Sequence, residues 1–239
     1  SGTHGYTAGG GAGGLQDVID KFPFASDTNA TDVGNVTVAR YGLTGSSSST
    51  HGYSSGGDIN NAGGNSNIID KHSFAVDSNA TDVGDLTITK RASAGHSSVT
   101  HGYNAGSRPT NNTIDKWPFA SDTNATDVGD LTLSRTYPAG QSSTTHGYSS
   151  GGNSGSYNDR IDKFTFATDA DATDVGNLTV AKHVCGGNSS VTHGYTTSGS
   201  RSGIPYTDVI EKFTFATDAD ATDVGDLTVA KNAVAGTQN

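Results

Sequence analysis

Methionine is absent from the 239 residues, and cysteine and tryptophan occur once each, as Cys185 and Trp117. A single cysteine excludes an intrachain disulfide and a multi-cysteine zinc site, and says nothing of compartment. Starting at Ser1 with no methionine anywhere, the chain is expected to be a processed product, a trimmed form or a piece of something longer. No apolar stretch approaches the ~20 residues that a membrane-spanning helix needs. There is no secretory signal pattern either, and membrane insertion is not expected. Positive charge is scarce: 14 Lys and Arg stand against 24 Asp and Glu, for a formal net charge of −10. A phosphate backbone is held by clustered Lys and Arg, so nucleic acid is not an expected partner. Apolar residues are few as well, at 31%, a composition that by itself leans toward disorder.

What the chain does have is glycine, 33 of them, and a repeat. Thr-His-Gly-Tyr ends at Tyr6, Tyr53, Tyr103, Tyr148 and Tyr195, and Thr-Asp-Val-Gly begins at Thr31, Thr81, Thr126, Thr173 and Thr222. The histidines of the first motif, His4, His51, His101, His146 and His193, are 47, 50, 45 and 47 residues apart. Units of that length hold about four short strands, the size of one propeller blade. Within a unit, residues 18–25 alternate as a strand with Phe22 and Phe24 on one face and Ile19 and Ala25 on the other. Apolar groups on both faces suit a sheet sandwiched between two neighbours. A turn rich in Asp and Asn follows, then an outer strand over 31–38. The small residues after it (Tyr41-Gly42-Leu43-Thr44-Gly45, or Ala92-Ser93-Ala94-Gly95) fit the innermost position near a narrow axis. No window has a sustained helical period.

These features predict an all-β chain: a five-bladed β-propeller of four-stranded antiparallel blades, one domain over 1–239. The units run 1–40, 41–90, 91–135, 136–182 and 183–231, with 232–239 completing the first blade. The opening Thr-His-Gly-Tyr segment lies just past where an inner strand belongs, and Asn232 to Thr237 reads as an inner strand without partners. Pairing of the two is expected to close the ring, because a closed ring leaves no free strand edge.

A basic residue after the outer strand (Arg40, Lys90, Arg135, Lys182, Lys231), an inner strand, a Gly-Gly pair (Gly9-Gly10, Gly56-Gly57, Gly151-Gly152) and an aromatic strand ending in Asp resemble the kelch repeat. The glycine pair is reduced to Gly106 and Gly199 in the third and fifth units, and kelch proteins usually have six or seven blades. The run from Ile-Asp-Lys through Asn-Ala-Thr-Asp-Val-Gly to the serine-rich turn further resembles kelch-like repeats in structural and tail-fibre proteins of marine bacteriophages. That resemblance spans nearly the whole chain and identifies a repeat type. It implies a virion-surface or extracellular module for assembly or host attachment, with other virion proteins or a host-surface glycan or protein as partners.

The five histidines invite a metal-site reading, but zinc needs about four ligands at ~2 Å, and histidines in separate blades cannot converge. A structural network is the expected role instead. Asp20, Asp70, Asp115, Asp162 and Glu211 lie on the strand beside the histidine strand, and each acid is expected to accept a hydrogen bond from the His or Thr of its own blade. The acidic turns (Asp27 and Asn29, Asp77 and Asn79, Asp122 and Asn124) read as Asx-rich hairpins. A calcium loop is the alternative, although the sharp-turn Gly and bidentate Glu of an EF-hand are missing. Asn29-Ala30-Thr31 and its copies match an N-glycosylation acceptor by coincidence of turn chemistry.

No nucleophile elbow and no unique His–acid pair breaks the fivefold regularity, so neither an enzyme nor a cofactor is expected. The segments after the glycine pair vary most in length. They carry Arg108, Tyr157, Arg160, Arg201 and Tyr206, side chains suited to sugar or protein contacts. Trp117 stands where other units have Phe and is expected in the core. The sequence thus points to a non-enzymatic binding or structural module. A multivalent lectin with one weak site per blade is the alternative, gaining through avidity.

Overall fold

The computed structural model describes residues 1–11, 13–60 and 64–236, and they fold into strands without a helix. Among them no helix is therefore long and apolar enough to cross a membrane. Each repeat makes one antiparallel sheet whose strands neighbour one another in chain order. The first blade holds β1 (His4–Gly11), β2 (Leu15–Pro23) and β3 (Thr31–Asn35). The second holds β4 (Thr44–Ser47), β5 (His51–Ser55), β6 (Ser66–Ser73) and β7 (Thr81–Lys90). In the third are β8 (Ala94–Ser97), β9 (His101–Ser107), β10 (Asn111–Pro118) and β11 (Thr126–Asp130). The fourth comprises β12 (Ala139–Ser142), β13 (His146–Ser150), β14 (Arg160–Thr165) and β15 (Thr173–Asn177). The fifth comprises β16 (Gly186–Ser189), β17 (His193–Thr197), β18 (Thr207–Thr214) and β19 (Thr222–Lys231). The fold is a five-bladed β-propeller.

Register explains how the blades stack. Tyr6 pairs with Lys21 and Thr7 with Asp20. With side chains alternating along a strand, His4, Tyr6, Ile19 and Lys21 share one face, and Gly5, Thr7, Asp20 and Phe22 share the other. The first kind of face packs on the second kind in the next blade. Tyr103, Ala105, Ile114 and Leu131 of the third blade thus meet Phe164 and Ala172 of the fourth. The same core recurs between the second and third blades and between the fourth and fifth. Burying an aliphatic side chain such as Ile114, which is fully enclosed, contributes about 1.5–3 kcal/mol. The glycine of Thr-His-Gly-Tyr follows from this packing. A Cβ on Gly147 would lie 2.3 Å from a Phe164 ring carbon, and one on Gly102 would lie 2.5 Å from Trp117. Trp117 is a core residue, 2% exposed.

Near the axis the inner strands approach too closely for side chains. A Cβ on Gly95 would come within 2.2 Å of the Gly45 carbonyl oxygen, and one on Gly187 within 2.2 Å of that of Gly140. A relay of backbone bonds also runs from blade to blade: Ala92 N–H to Gly42 O, Tyr137 N–H to Ala92 O, Val184 N–H to Tyr137 O and Ala233 N–H to Val184 O, at 2.7–3.3 Å. Ala92, Tyr137, Val184 and Ala233 adopt φ of 54–57° to make it. That left-handed conformation costs a non-glycine residue roughly 1–2 kcal/mol, which the surrounding bonds offset.

Ring closure departs from expectation. The first sheet has three strands, and β1 pairs only with β2 among the described residues. Thr237 and the residues after it lie outside the described residues, and residues 232–236 make no strand with β1. They follow the fifth blade's inner strand as each inner strand follows the one before it, through the same relay. The Asn232 amide donates to Ser200 Oγ at 2.8 Å and to the Pro205 carbonyl at 3.3 Å, and Ala233 N–H donates to Val184 O. Four of the sheets have the predicted four strands, and the strands of each fall inside one predicted unit.

Candidate functional site

The repeated polar residues join blades to one another. Asp70 pairs with Arg40 of the preceding blade at 2.8 Å, Asp115 with Lys90 at 3.1 Å, Asp162 with Arg135 at 2.8 Å and Glu211 with Lys182 at 2.5 Å. All eight side chains are at most 2% exposed. A threonine of the preceding blade donates to each acid as well: Thr37 to Asp70, Thr87 to Asp115, Thr132 to Asp162 and Thr179 to Glu211, at 2.5–2.7 Å. Burial pulls Lys90 and Arg135 below their usual ranges, with the facing carboxylates opposing the shift.

The expected bond between each acid and the His or Thr of its own blade is therefore not formed. His4 and Asp20 lie on opposite faces of their sheet, as do their counterparts, so Asp70, Asp115, Asp162 and Glu211 reach the preceding blade and the histidines cannot follow. The histidine closes a local turn. In all five copies Nδ1 is hydrogen-bonded to the preceding threonine hydroxyl at 2.8 Å, from Thr3–His4 to Thr192–His193.

The acidic turns are spent in the same way. Both carboxylate oxygens of Asp77 accept from Lys21, at 2.6 and 2.8 Å, and Asp122 accepts from Lys71 at 2.5 Å. Asn79 Oδ1 accepts from Asn35 N–H, and Asn124 Oδ1 from Asp85 N–H. At Asp77, Asn79, Asp122 and Asn124 the oxygens that a calcium loop would present are thus engaged by the adjacent blade. Asp27 and Asn29 make no such bond among the described residues and are exposed.

The non-repeating chemistry lies on one rim. Register places the long connections after the glycine pairs and the links that enter the inner strands at the same end of each blade. Two clusters form there. In one, Arg91 is ion-paired with buried Asp58, donates to the Tyr41 hydroxyl at 2.8 Å, and sets its guanidinium 5.7 Å from the Tyr41 ring centre. Exposed Arg108 is bridged to Arg91 through the backbone, and its carbonyl accepts from Asn65. In the other cluster, Tyr157 stacks on His183 at 4.7 Å, and Tyr137 meets the same imidazole edge-on at 6.0 Å. Burial holds His183 below the ordinary imidazole range, against a bond from Nδ1 to the Ser200 carbonyl. Arg201 follows Ser200, its backbone bridged to Ile204, and Tyr206 is 54% exposed nearby in sequence.

Of the predicted loop residues, Tyr157 thus belongs to one cluster and Arg108 borders the other, while Arg201 adjoins the first only in sequence, through Ser200. Arg160 belongs to neither: it opens β14 and sits 3.6 Å from Asp174 across the sheet, with Nη1 donating to Thr132. Tyr41, Asp58, Arg91, Tyr137 and His183 are site residues that the loop-length argument misses. A usable signal exists, because positions 41, 91, 136 and 183 directly follow the near-invariant basic residue yet read Tyr, Arg, Thr and His.

A cavity of about 650 Å³ opens at the axis beside the first blade. Its wall includes His4, Tyr6, His72, Thr44 and Gly236, so it lies along the free edge of β1. No known protein family matches the chain, and no curated protein does.

Proposed function

We propose that the chain is a non-catalytic binding and assembly module of a virion surface, as a tail-fibre or decoration protein that contacts other virion proteins or a host-surface glycan or protein. One observation carries this reading: the repeated His, Asp and Lys residues are spent on turns and on joining blades. What lies at the rim without repetition is exposed Arg108 and Tyr206, with half-buried Tyr157 and Arg201 beside them. Guanidinium groups and aromatic faces there suit a protein or sugar surface. The resemblance of the repeats to kelch-like repeats of marine-phage structural proteins supplies the biological setting.

The lectin alternative, with one equivalent sugar site per blade, finds less support. The space between blades is filled by Tyr–Phe stacks at 4.7–4.9 Å. Host-cell binding by the purified protein, read beside a glycan array and calorimetry, tests both. The assembly and attachment reading expects Arg108→Ala, Tyr157→Ala and Arg201→Ala, which leave the buried acid–base pairs and Tyr–Phe stacks between blades in place, to cut cell-surface binding at least tenfold. Saturation near five sugars per chain, insensitive to those substitutions, would establish the lectin instead. Turnover of a glycan or peptide during the incubation would refute a non-catalytic role.

A further inference from the structure

Four interfaces join the five blades through the same links: a buried acid–base pair, a Lys–Asp pair at the rim, a Tyr–Phe stack and a backbone bond from the alanine before Thr-Asp-Val-Gly. The fifth blade carries Lys231, Lys212, Tyr195 and the Asp226 carbonyl at the repeat positions of Arg135, Lys116, Tyr103 and the Asp130 carbonyl. The first carries Asp20, Asp27, Phe24 and the Ala30 N–H at those of Asp162, Asp169, Phe166 and the Ala172 N–H. One face thus offers two lysines and the other two aspartates.

These parts stand apart in the structure. Lys231 is exposed and Asp20 half-buried, whereas both members of each buried pair elsewhere are at most 2% exposed. Phe24 is 59% exposed, and Ala30 is exposed where Ala80, Ala125, Ala172 and Ala221 are buried. At the axis, by contrast, the fifth and first blades already meet. Ala233 N–H donates to Val184 O as Val184 N–H donates to Tyr137 O, and Gly236 lies over the Gly187 carbonyl as Gly187 lies over that of Gly140. Residues 233–236 therefore occupy the first blade's inner position, and they run on directly from Lys231. Faces joined by so short a link meet at an effective concentration on the order of millimolar, which favours the chain's own opposite face over a second copy.

This joint differs from the other four in its fastening. Elsewhere the crossing chain enters a strand hydrogen-bonded into the next sheet, as β12 is to β13. Residues 233–236 make no strand with β1 among the described residues, so β1 to β3 can reach the fifth blade only through side chains and the Ala30 bond. We infer that the first and fifth blades clasp each other within one chain through Lys231–Asp20, Lys212–Asp27 and Tyr195–Phe24, and that this clasp is the joint at which the ring opens. The clasp is a side-chain layer, not the strand pairing that the repeat suggests. It stands apart from whatever the loop rim binds.

Zero-length carbodiimide coupling tests the clasp, because it joins a lysine to a carboxylate only where the two already touch. Lys21–Asp77, Lys71–Asp122, Lys116–Asp169 and Lys163–Asp218 serve as internal standards. A Lys212–Asp27 cross-link is expected in the monomer band, with a yield that dilution does not change. Coupling of the standards without Lys212–Asp27, or a Lys212–Asp27 link found only between chains, would overturn the inference. Amide exchange tests the opening. The Ala30 N–H should be protected in the wild type. Lys231→Glu, which sets two acids face to face, should speed its exchange at least tenfold and leave Ala80 unchanged, and adding Asp20→Arg should restore protection. An unprotected Ala30 in the wild type would refute the clasp, and equal acceleration at Ala30 and Ala80 would refute opening at this joint.

Discussion

Replacing His96 by Gln, the residue found at the matching position of the next blade as Gln141, should make the protein less sensitive to mild acid. His96 is 1% exposed on β8, with Nδ1–H donating to the Gln141 carbonyl and Nε2 accepting from the Ser149 hydroxyl, both at 3.1 Å. Burial drives its pKa down to about 4. The bond to Gln141 opposes the shift, and Arg135 adds to it. In the unfolded chain the same imidazole titrates near about 6.5, so the unfolded state takes up a proton first. The stabilisation is complete above pH 6.5 and is lost as pH falls toward 4. Each tenfold difference in proton affinity between the two states corresponds to ~1.4 kcal/mol, so wild type should lose about 2 kcal/mol from this residue between pH 7.5 and 5. For a chain of this size that is roughly 4–8 °C in Tm. Urea titrations of wild type and His96→Gln at pH 7.5 and 5.0 give the comparison, because His72, whose pKa also falls to about 4, contributes equally to both. The variant should show a change smaller by about 2 kcal/mol. Equal changes in the two proteins would refute the buried, neutral role of His96.

Gly147→Ala places a methyl group 2.3 Å from the Phe164 ring and should cost about 1–3 kcal/mol, read as a fall in the urea midpoint. Gly14→Ala, where nothing lies within 4 Å, should leave the midpoint unchanged within about 0.5 kcal/mol. Trp117→Ala empties the core between the second and third blades and should cost about 3–5 kcal/mol by the same measure. Asp169→Asn removes a rim pair whose acid is 57% exposed, and a loss above about 1 kcal/mol would contradict the minor role given to that layer.

Much of the fold is legible in the sequence because one pattern recurs five times with little variation. The spacing of Thr-His-Gly-Tyr and Thr-Asp-Val-Gly fixes blade number, and the alternation around Ile19 and Phe22 fixes which faces are apolar. The partners of the acids are less legible. Asp115 lies near His101 along the hairpin, and only the register, pairing Lys116 with Tyr103 and Asp115 with Asn104, turns it to the opposite face and toward Lys90. Spacing names the residue types but not the face on which each emerges once strands pair. Closure escapes the sequence for a related reason. Residues 232–236 have the small side chains of an inner strand and keep the repeating bond to Val184, yet the hydrogen bonds of Asn232 to Ser200 and Pro205 arise from a loop whose conformation no repeat predicts. The rim clusters are half visible. The variable loops mark Arg108, Tyr157 and Arg201, whereas Tyr41, Arg91 and His183 lie in short links that composition alone does not distinguish.

The buried acid–base pairs fasten one blade to the next, and a double-mutant cycle on Arg135 and Asp162 tests that role most directly. Arg135→Met and Asp162→Leu should each cost about 3–5 kcal/mol in urea unfolding, because each strands a buried charge. The double variant should cost at least about 2 kcal/mol less than the sum, because no charge is then left unpaired. Strictly additive losses would mean that the two side chains do not hold the third and fourth blades together.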